Sequence, residues 1–193
     1  MLVNVSFRHM DASPAIQQYA SDKLQHVVAK YVHGEDIDSQ ITFSVEKFWH
    51  IVNFTINING LTVKSVEKTE DMYSSVDLAL EKVERQMRRY KSKIRSHRPD
   101  NRQRNFRMQV VAPAEGEAVV ETQPEELAEP PVQTLKAETY TAPFMKVDDA
   151  IMQLELRGAQ FFVFTNEESE RINIVHRRDD GNFGLIEAEP QHH

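Results

Sequence analysis

A run of basic side chains between Glu81 and Arg98 is the stretch of this sequence best suited to chemistry, namely the binding of phosphate groups. Eight Lys and Arg residues occur there against two acids, Glu81 and Glu84. At helical spacing the central cations share one face or flank it: Lys82, Arg85, Arg88, Arg89, Lys93 and Arg95. Like charges on neighbouring turns repel one another, so the pattern favours an anionic partner, of which a phosphate backbone is the most common. A solvated charged face is the alternative.

The same stretch carries the apolar pattern that would hold a helix in place. Its apolar residues recur at alternating spacings of three and four: Tyr73, Val76, Leu80, Val83, Met87, Tyr90 and Ile94. One buried stripe on a helix has this period. The pattern predicts one long helix from Asp71 to Arg98, with its basic side facing away from the protein.

Carboxylates and histidines elsewhere offer a second chemistry, that of an enzyme. Four aspartates could hold a divalent metal: Asp148, Asp149, Asp179 and Asp180. Glu46 could pair with His50 in acid-base catalysis. Turn and helix-start positions explain the first four better. The chain has no cysteine, no glycine-rich phosphate loop and no nucleophile elbow. The sequence therefore favours a protein that is not an enzyme and uses no cofactor or metal.

The net charge of −7 conceals two halves of opposite sign. Residues 1–107 hold 17 Lys and Arg against 13 Asp and Glu, or +4, while residues 108–193 hold 6 against 17, or −11. Only the first half could meet a polyanion. No apolar run reaches the roughly 20 residues of a membrane span, and the start lacks a secretion signal, so we expect a cytoplasmic protein.

Residues 1–107 have the pattern of one compact α+β domain. An alternating strand at Val3–Phe7 precedes a helix that Ser13 and Pro14 would begin and Gly34 would end. Three further alternating runs follow, and Asn59-Gly60 joins the last two as a hairpin turn. The order is β-α-β-β-β-α, which predicts a four-stranded sheet with two helices on one face.

Residues 108–139 read as a flexible, disordered acidic linker. This stretch contains four prolines, and seven glutamates lie between Glu115 and Glu138. Proline breaks helices, and like charges oppose collapse. The acidity serves an extended tether or, alternatively, competes with nucleic acid for the basic helix.

The pattern of residues 140–190 predicts a small α/β domain. Its helix begins after Lys146 and ends at Gly158, and three strands follow. The strand Phe161–Phe164 is apolar on both faces. So small a unit buries little surface alone, and a symmetric dimer would cover its second face. Coverage of both faces within the monomer by residues 140–157 is the alternative.

Two long stretches resemble a known family. The run EKTEDMYSSVDLALEKVERQMRRYKSKI is similar to the ribosome hibernation promoting factor and ribosome-associated inhibitor family. The run FMKVDDAIMQLELRGAQFFVFTNEESERINIVHRRDDGNFGLIE resembles the C-terminal domain of its long form. The resemblance implies binding of the small ribosomal subunit in the decoding region, where messenger and transfer RNA sit, during stress and stationary phase. It also implies a homodimer through the C-terminal domain that pairs ribosomes into inactive 100S particles, with no membrane or small-molecule substrate.

The resemblance also implies site residues. The ribosomal RNA contacts would be Lys23, Lys30, Lys82, Arg85, Arg88, Arg89, Lys91 and Lys93. The dimer interface would contain Phe162, Phe164, Ile172, Ile174 and His176. Two positions depart from the family pattern, since His26 replaces a lysine and His176 replaces a tyrosine. A ribosome-independent module that binds double-stranded RNA is the alternative function, because it would use the same basic helix.

Overall fold

The computed structural model describes residues 1–32, 37–97, 100, 102–113 and 132–187 of the chain. The N-terminal part contains β1 (Leu2–Arg8), α1 (Pro14–Ala29), β2 (Ile37–Glu46), β3 (Trp49–Ile58), β4 (Leu61–Thr69), α2 (Met72–Arg89) and α3 (Lys91–Ser96). The C-terminal part contains β5 (Gln103–Pro113), β6 (Val132–Met145), α4 (Val147–Arg157), β7 (Phe161–Asn166), β8 (Ile172–Arg177) and β9 (Phe183–Glu187). Within these residues, none of the helices has the length and apolar character that crossing a bilayer demands.

The predicted N-terminal α+β domain is confirmed. Its strands form one sheet in the order β1-β2-β3-β4, with β1 parallel to β2 and the other pairs antiparallel. The alternating apolar residues of β2 to β4 point to the side on which α1 and α2 pack, so Phe43 and Phe54 are fully buried there. Burying one such side chain contributes about 1.5–3 kcal/mol. This core fixes α2 on the sheet.

The turn between β3 and β4 has the predicted geometry. Asn59 and Gly60 have φ angles of 49° and 77°, which is the left-handed region that a type I′ hairpin turn requires at both central residues. The turn sets the register Ile58 to Leu61 and Ile56 to Val63. Because register decides which face each side chain takes, the turn places the apolar residues of both strands on the side of the helices.

The predicted basic helix is divided in two at Tyr90. This residue lies outside the helical region, at φ −108° and ψ 16°, and separates α2 from α3. The hydrogen bonds continue across the break, since the Tyr90 N–H donates to the Gln86 carbonyl and the Ile94 N–H donates to the Tyr90 carbonyl. α3 therefore continues α2 with a local irregularity. α1 ends at Ala29, and the predicted stop at Gly34 lies outside the described residues.

The C-terminal part forms a five-stranded sheet in the order β5-β6-β7-β8-β9. The helix that stops at Gly158 and the three strands after it are present as predicted, and Gly158 has the left-handed φ of 61° expected at a helix C-terminus. β5 and β6, however, enter the predicted linker from both ends and pair antiparallel. Residues 114–131 lie outside the described residues.

The helix α4 is buried on two sides because it lies between the two sheets. Ala150 and Leu154 pack with the C-terminal core, whereas Met152 and Leu156 join the N-terminal core, and all four are at most 1% exposed. The side-chain amide of Gln153 accepts a bond from the Thr62 N–H at 3.0 Å and donates to the Thr62 carbonyl at 2.9 Å. These two hydrogen bonds resemble those of a neighbouring strand, and they cover part of the edge of β4.

Candidate nucleic-acid interface

The start of α2 is fixed by Asp71, which precedes the helix in an extended conformation. Its carboxylate accepts hydrogen bonds from the backbone N–H of Ser74 at 2.7 Å and from the Ser74 hydroxyl at 2.8 Å. These bonds lower the pKa of Asp71, because they stabilise the ionised carboxylate. An N-cap of this kind stabilises a helix and satisfies one of its free N–H groups. The helix therefore has a defined first residue and a defined rotation.

The predicted apolar stripe faces the sheet. Five of its seven members are at most 4% exposed: Val76, Leu80, Val83, Met87 and Ile94. Tyr73 lies at the margin, 44% exposed, with its ring edge-on to that of Tyr19 at 4.9 Å between centroids. Since one side of α2 is buried, the opposite side must face outward. The cations predicted there, Arg85, Arg88 and Arg89, are exposed.

Four of the eight predicted contacts are already paired with acids of this chain. Lys23 bonds Asp77 at 2.8 Å, Lys30 bonds Glu84 at 3.2 Å, Lys82 contacts Glu67, and Arg89 bonds Glu155 at 3.0 Å. The first two pairs join α1 to α2, and the last joins α2 to α4. The pairs of Lys23 and Lys30 are exposed and contribute little to stability, whereas the acids paired with Lys82 and Arg89 are only 20% and 13% exposed.

The other four predicted contacts are exposed and form no ion pair with another described residue. They are Arg85, Arg88, Lys91 and Lys93. Lys91 lies 5.7 Å from the centre of the Tyr31 ring, which places its ammonium beside α1. These residues lie on α2 and α3, where the cations outnumber the acids Asp77, Glu81 and Glu84. An unpaired set of cations of this kind attracts a polyanion.

Tyr19 is a member of this surface that the sequence did not indicate. Its hydroxyl donates to Asp77 at 2.9 Å and lies 2.6 Å from the Lys23 ammonium, whose charge also lies over the Tyr19 ring. The hydrogen bond that Lys23 itself donates to Asp77 is the main reason that the pKa of Lys23 is raised. The spacing of four between Tyr19 and Lys23 on a helix was the available signal. Tyr19 therefore holds Lys23 against α2.

The predicted dimer residues fall on two different faces of the C-terminal sheet. Phe162 and Phe164 are 2% and 0% exposed and pack under α4 with Val175. In this arrangement they belong to the core of their own chain, because α4 already covers that face. Ile172, Ile174 and His176 point to the other face and are only partly buried. That face also carries Phe161, which is 62% exposed, opposite His176 in the strand register.

His176 has a local partner that its sequence position did not reveal. Its ring packs directly over Gly184, its register partner on β9, where any side chain would collide with the imidazole. The Nδ1 atom lies 3.1 Å from the Arg177 carbonyl oxygen. The glycine therefore provides the space that the His176 ring occupies.

The carboxylates considered as catalytic or metal-binding groups lie at a helix start, in a turn and in an ion pair. Asp148 and Asp149 occupy the first turn of α4, where carboxylates stabilise the helix dipole. The Asp180 carboxylate accepts from the Asn182 N–H at 3.0 Å and from Arg178 at 3.1 Å, and these bonds lower its pKa. Glu46 lies 3.8 Å from Lys68. In the described residues no three His, Asp or Glu side chains are grouped as metal ligands would be.

The similarity of this chain to known proteins covers its N-terminal and C-terminal parts separately. The fold and the cation-bearing helix define a two-domain α+β protein with an electropositive helical surface. A family model described as sigma 54 modulation protein / S30EA ribosomal protein matches residues 3–95, and one described as the C terminus of that protein matches residues 129–185. The chain belongs to this family, in the long form of the ribosome hibernation promoting factors that carries the C-terminal domain.

Two relatives match along nearly the whole length, and one solved structure matches about half of the chain. The ribosome hibernation promotion factor of Bacillus subtilis (strain 168) is 29% identical over 191 residues, covering 97% of this chain and 98% of that protein. The ribosome hibernation promotion factor of Lactococcus lactis subsp. cremoris (strain MG1363) is 29% identical over 188 residues, covering 96% and 98%. A ribosomal subunit interface protein from Coxiella burnetii, of known structure, is 26% identical and covers 48% of this chain and 99% of that chain, with a TM-score of 0.42.

The ion pair between Lys30 and Glu84 yields a pH prediction. The hydrogen bond from Lys30 is the main reason that the pKa of Glu84 is lowered. A lowered pKa means that the pair contributes above the ordinary pKa of a glutamate and is lost as the pH falls through the lower, folded-state value. We expect Lys30→Met to raise the pKa of Glu84 towards its ordinary value, as followed by NMR of the Glu84 carboxyl carbon.

Lys64→Met is the matched control, because it removes the same charge from β4 and should leave the titration of Glu84 unchanged. An unchanged pKa of Glu84 in Lys30→Met would show that the two side chains do not pair in solution.

Proposed function

We propose that this protein is a ribosome hibernation factor of the cytoplasm. In this proposal the N-terminal domain binds the small ribosomal subunit at the decoding region and blocks translation without any chemical step. The C-terminal domain then joins two copies and so pairs two inactive ribosomes into a 100S particle. The names of the full-length relatives support the hibernation role, and the two parts of the proposal are supported by separate surfaces of the structure.

The observation that carries the binding proposal is the unpaired basic surface of α2 and α3. Arg85, Arg88, Lys91 and Lys93 are exposed, and none of them forms an ion pair with a described acid. Each cation that contacts an RNA phosphate releases condensed counterions, and this release favours binding. Folded RNA presents many phosphates, so several cations on one helical surface can each contact one.

The rigid attachment of these cations supports occlusion as the mechanism. α2 is fixed by its buried stripe, and α1 is tied to it through Lys23 and Lys30. A folded domain held by phosphate contacts fills the space that messenger and transfer RNA need. Contacts to phosphates carry little sequence information, so the shape of the folded RNA would determine where the domain binds.

The salt dependence of binding tests the basic surface. Arg88 is exposed and unpaired among the described residues, so Arg88→Gln should weaken binding to purified small subunits. It should also make the slope of log affinity against log salt shallower by about one. The measurement is co-sedimentation with the small subunit over a series of salt concentrations.

Arg171→Gln is the matched control, because it removes one exposed charge from the turn between β7 and β8 and should leave the slope unchanged. Equal slopes for wild type and Arg88→Gln would exclude Arg88 as a phosphate contact. If the full chain binds an RNA duplex but not the small subunit, the ribosome-independent module is the correct function.

The exposed face of the C-terminal sheet supports pairing of two copies. Phe161 and Ile186 on this face are 62% and 54% exposed, and Ile172 and Ile174 lie between them on β8. Large apolar side chains grouped on one surface mark an interaction site more often than a solvent-facing one. A second copy presents the same strands, so a two-fold axis would bury both faces at once. The proposed interface is therefore this face, centred on Ile174 and His176.

Sedimentation equilibrium of the protein alone tests the interface. The wild type should be a dimer, and Phe161→Asp should be a monomer or dissociate at much higher concentration, because a buried unpaired carboxylate is strongly unfavourable. Phe161 is exposed in one chain, so the substitution leaves the fold intact.

Leu78→Asp is the control, since it places the same charge on an exposed apolar site of α2 and should remain dimeric. A monomeric wild type at every concentration, or a Phe161→Asp variant that dimerises as the wild type does, would overturn this part of the proposal.

A further inference from the structure

Arg157, at the end of α4, is a partly buried cation without an anionic partner among the described residues. One guanidinium nitrogen, Nη2, lies 3.4 Å from the Thr62 hydroxyl, and the group lies 4.8 Å from the centre of the Phe162 ring. Its Nε atom is buried and has no hydrogen-bond partner. Burial lowers the pKa of Arg157, because a low dielectric disfavours the charged form. A guanidinium removed from water in this way is normally paired with an anion.

Arg157 lines a cavity of about 670 Å³ between the two domains, and the charge of that cavity is one-sided. Six cations line it: Lys64, Lys82, Arg85, Arg89, Arg157 and Arg177. One acid, Glu155, does so and bonds Arg89, and Lys82 contacts Glu67, so four of the six cations form no ion pair with a described acid. The volume falls within the range of small-molecule sites. The excess of positive charge concentrates anions at this position.

Two neutral side chains in the same cavity also lack partners. The amide oxygens of Asn53 and Gln86 are buried and accept no hydrogen bond from a described residue. Buried polar atoms are rarely left unpaired in a folded protein. Amide groups of this kind can turn to present either N–H donors or the carbonyl oxygen. They could therefore bond both the oxygens of an anion and the hydroxyl groups attached to it.

We propose that the cavity between α2 and α4 binds a phosphate group, with Arg157 at its centre. The N-terminal domain supplies Arg85 and Arg89, and the C-terminal domain supplies Arg157 and Arg177, so the ligand contacts both domains. A ligand that binds only when the domains are in contact stabilises that contact by mass action. The phosphate belongs either to a free oligophosphate or to an RNA backbone, which have the same chemistry. Arg85 and Arg89 also belong to the surface proposed for the small subunit, whereas Arg157 does not, so substitution of Arg157 tests this site separately from ribosome binding.

Calorimetric titration of the full chain with inorganic tripolyphosphate tests the site. Wild type should bind one equivalent in a phosphate-free buffer. Arg157→Gln should lower the affinity at least about tenfold, since a charge-assisted hydrogen bond in a partly dry site is lost. Arg171→Gln, which removes a cation that does not line the cavity, should bind as the wild type does.

Lys64→Gln is a second variant that leaves the packing intact, because Lys64 is exposed on β4. Lys64→Gln should reduce the affinity for tripolyphosphate several-fold. This result would test the site even where Arg157→Gln disturbs the contact between the domains. Hydrogen exchange of the Thr62 amide reports that contact, since its N–H donates to Gln153. Added tripolyphosphate should slow this exchange in the wild type.

A short RNA duplex without terminal phosphates distinguishes the two sources. Tripolyphosphate binding that depends on Arg157, with RNA binding that does not, assigns the site to a free oligophosphate. RNA binding that depends on Arg157, without binding of tripolyphosphate, assigns it to the RNA backbone. If neither probe depends on Arg157, or if Arg171→Gln weakens both as strongly, the site does not exist. Binding of the small subunit that still depends on Arg88 would leave the hibernation role standing in that case.

Discussion

The burial of one stripe of α2 against the four-stranded sheet determines where the charges of this protein point. Val76, Val83 and Met87 are completely buried, so the helix cannot rotate without exposing them. Because the period of a helix is fixed, the residues opposite that stripe must face solvent. Arg85 and Arg88 therefore project outward, where water screens their mutual repulsion and a phosphate backbone can reach them. The core thus supplies the orientation, and in the proposed complex a phosphate backbone would supply the compensating charge.

A second helix, α4, connects this charged surface to the rest of the molecule. It is buried on both sides, through Leu154 towards its own sheet and through Met152 and Leu156 towards the N-terminal core. Glu155 on this helix bonds Arg89, one of the cations of α2. The contact between the domains therefore shares residues with the basic surface, although the exposed face of the C-terminal sheet lies on the other side of β7 and β8. Binding of RNA and pairing of copies would use separate surfaces.

Most of the N-terminal fold followed from periodicity, because each strand of the sheet has one buried face and the Asn59-Gly60 turn fixes the register. The break at Tyr90 could not be predicted, since the apolar spacing continues across it. The strands β5 and β6 were missed because proline and glutamate dominated the composition, although Leu135 and Ala137 alternate with Lys136 and Glu138. The cations of α2 could be predicted from the helical period, but their partners could not. Glu155 lies far from Arg89 in sequence, and only the tertiary structure brings them together.

The central claim is that one molecule has one surface for the ribosome and another for a second copy of itself. Sucrose-gradient sedimentation of purified ribosomes with the full chain tests this claim most directly. The account predicts paired ribosomes with the wild type. With Ile174→Asp it predicts single ribosomes that still carry the protein and do not translate. Paired ribosomes with Ile174→Asp, or no protein bound to the small subunit with the wild type at moderate salt, would contradict it.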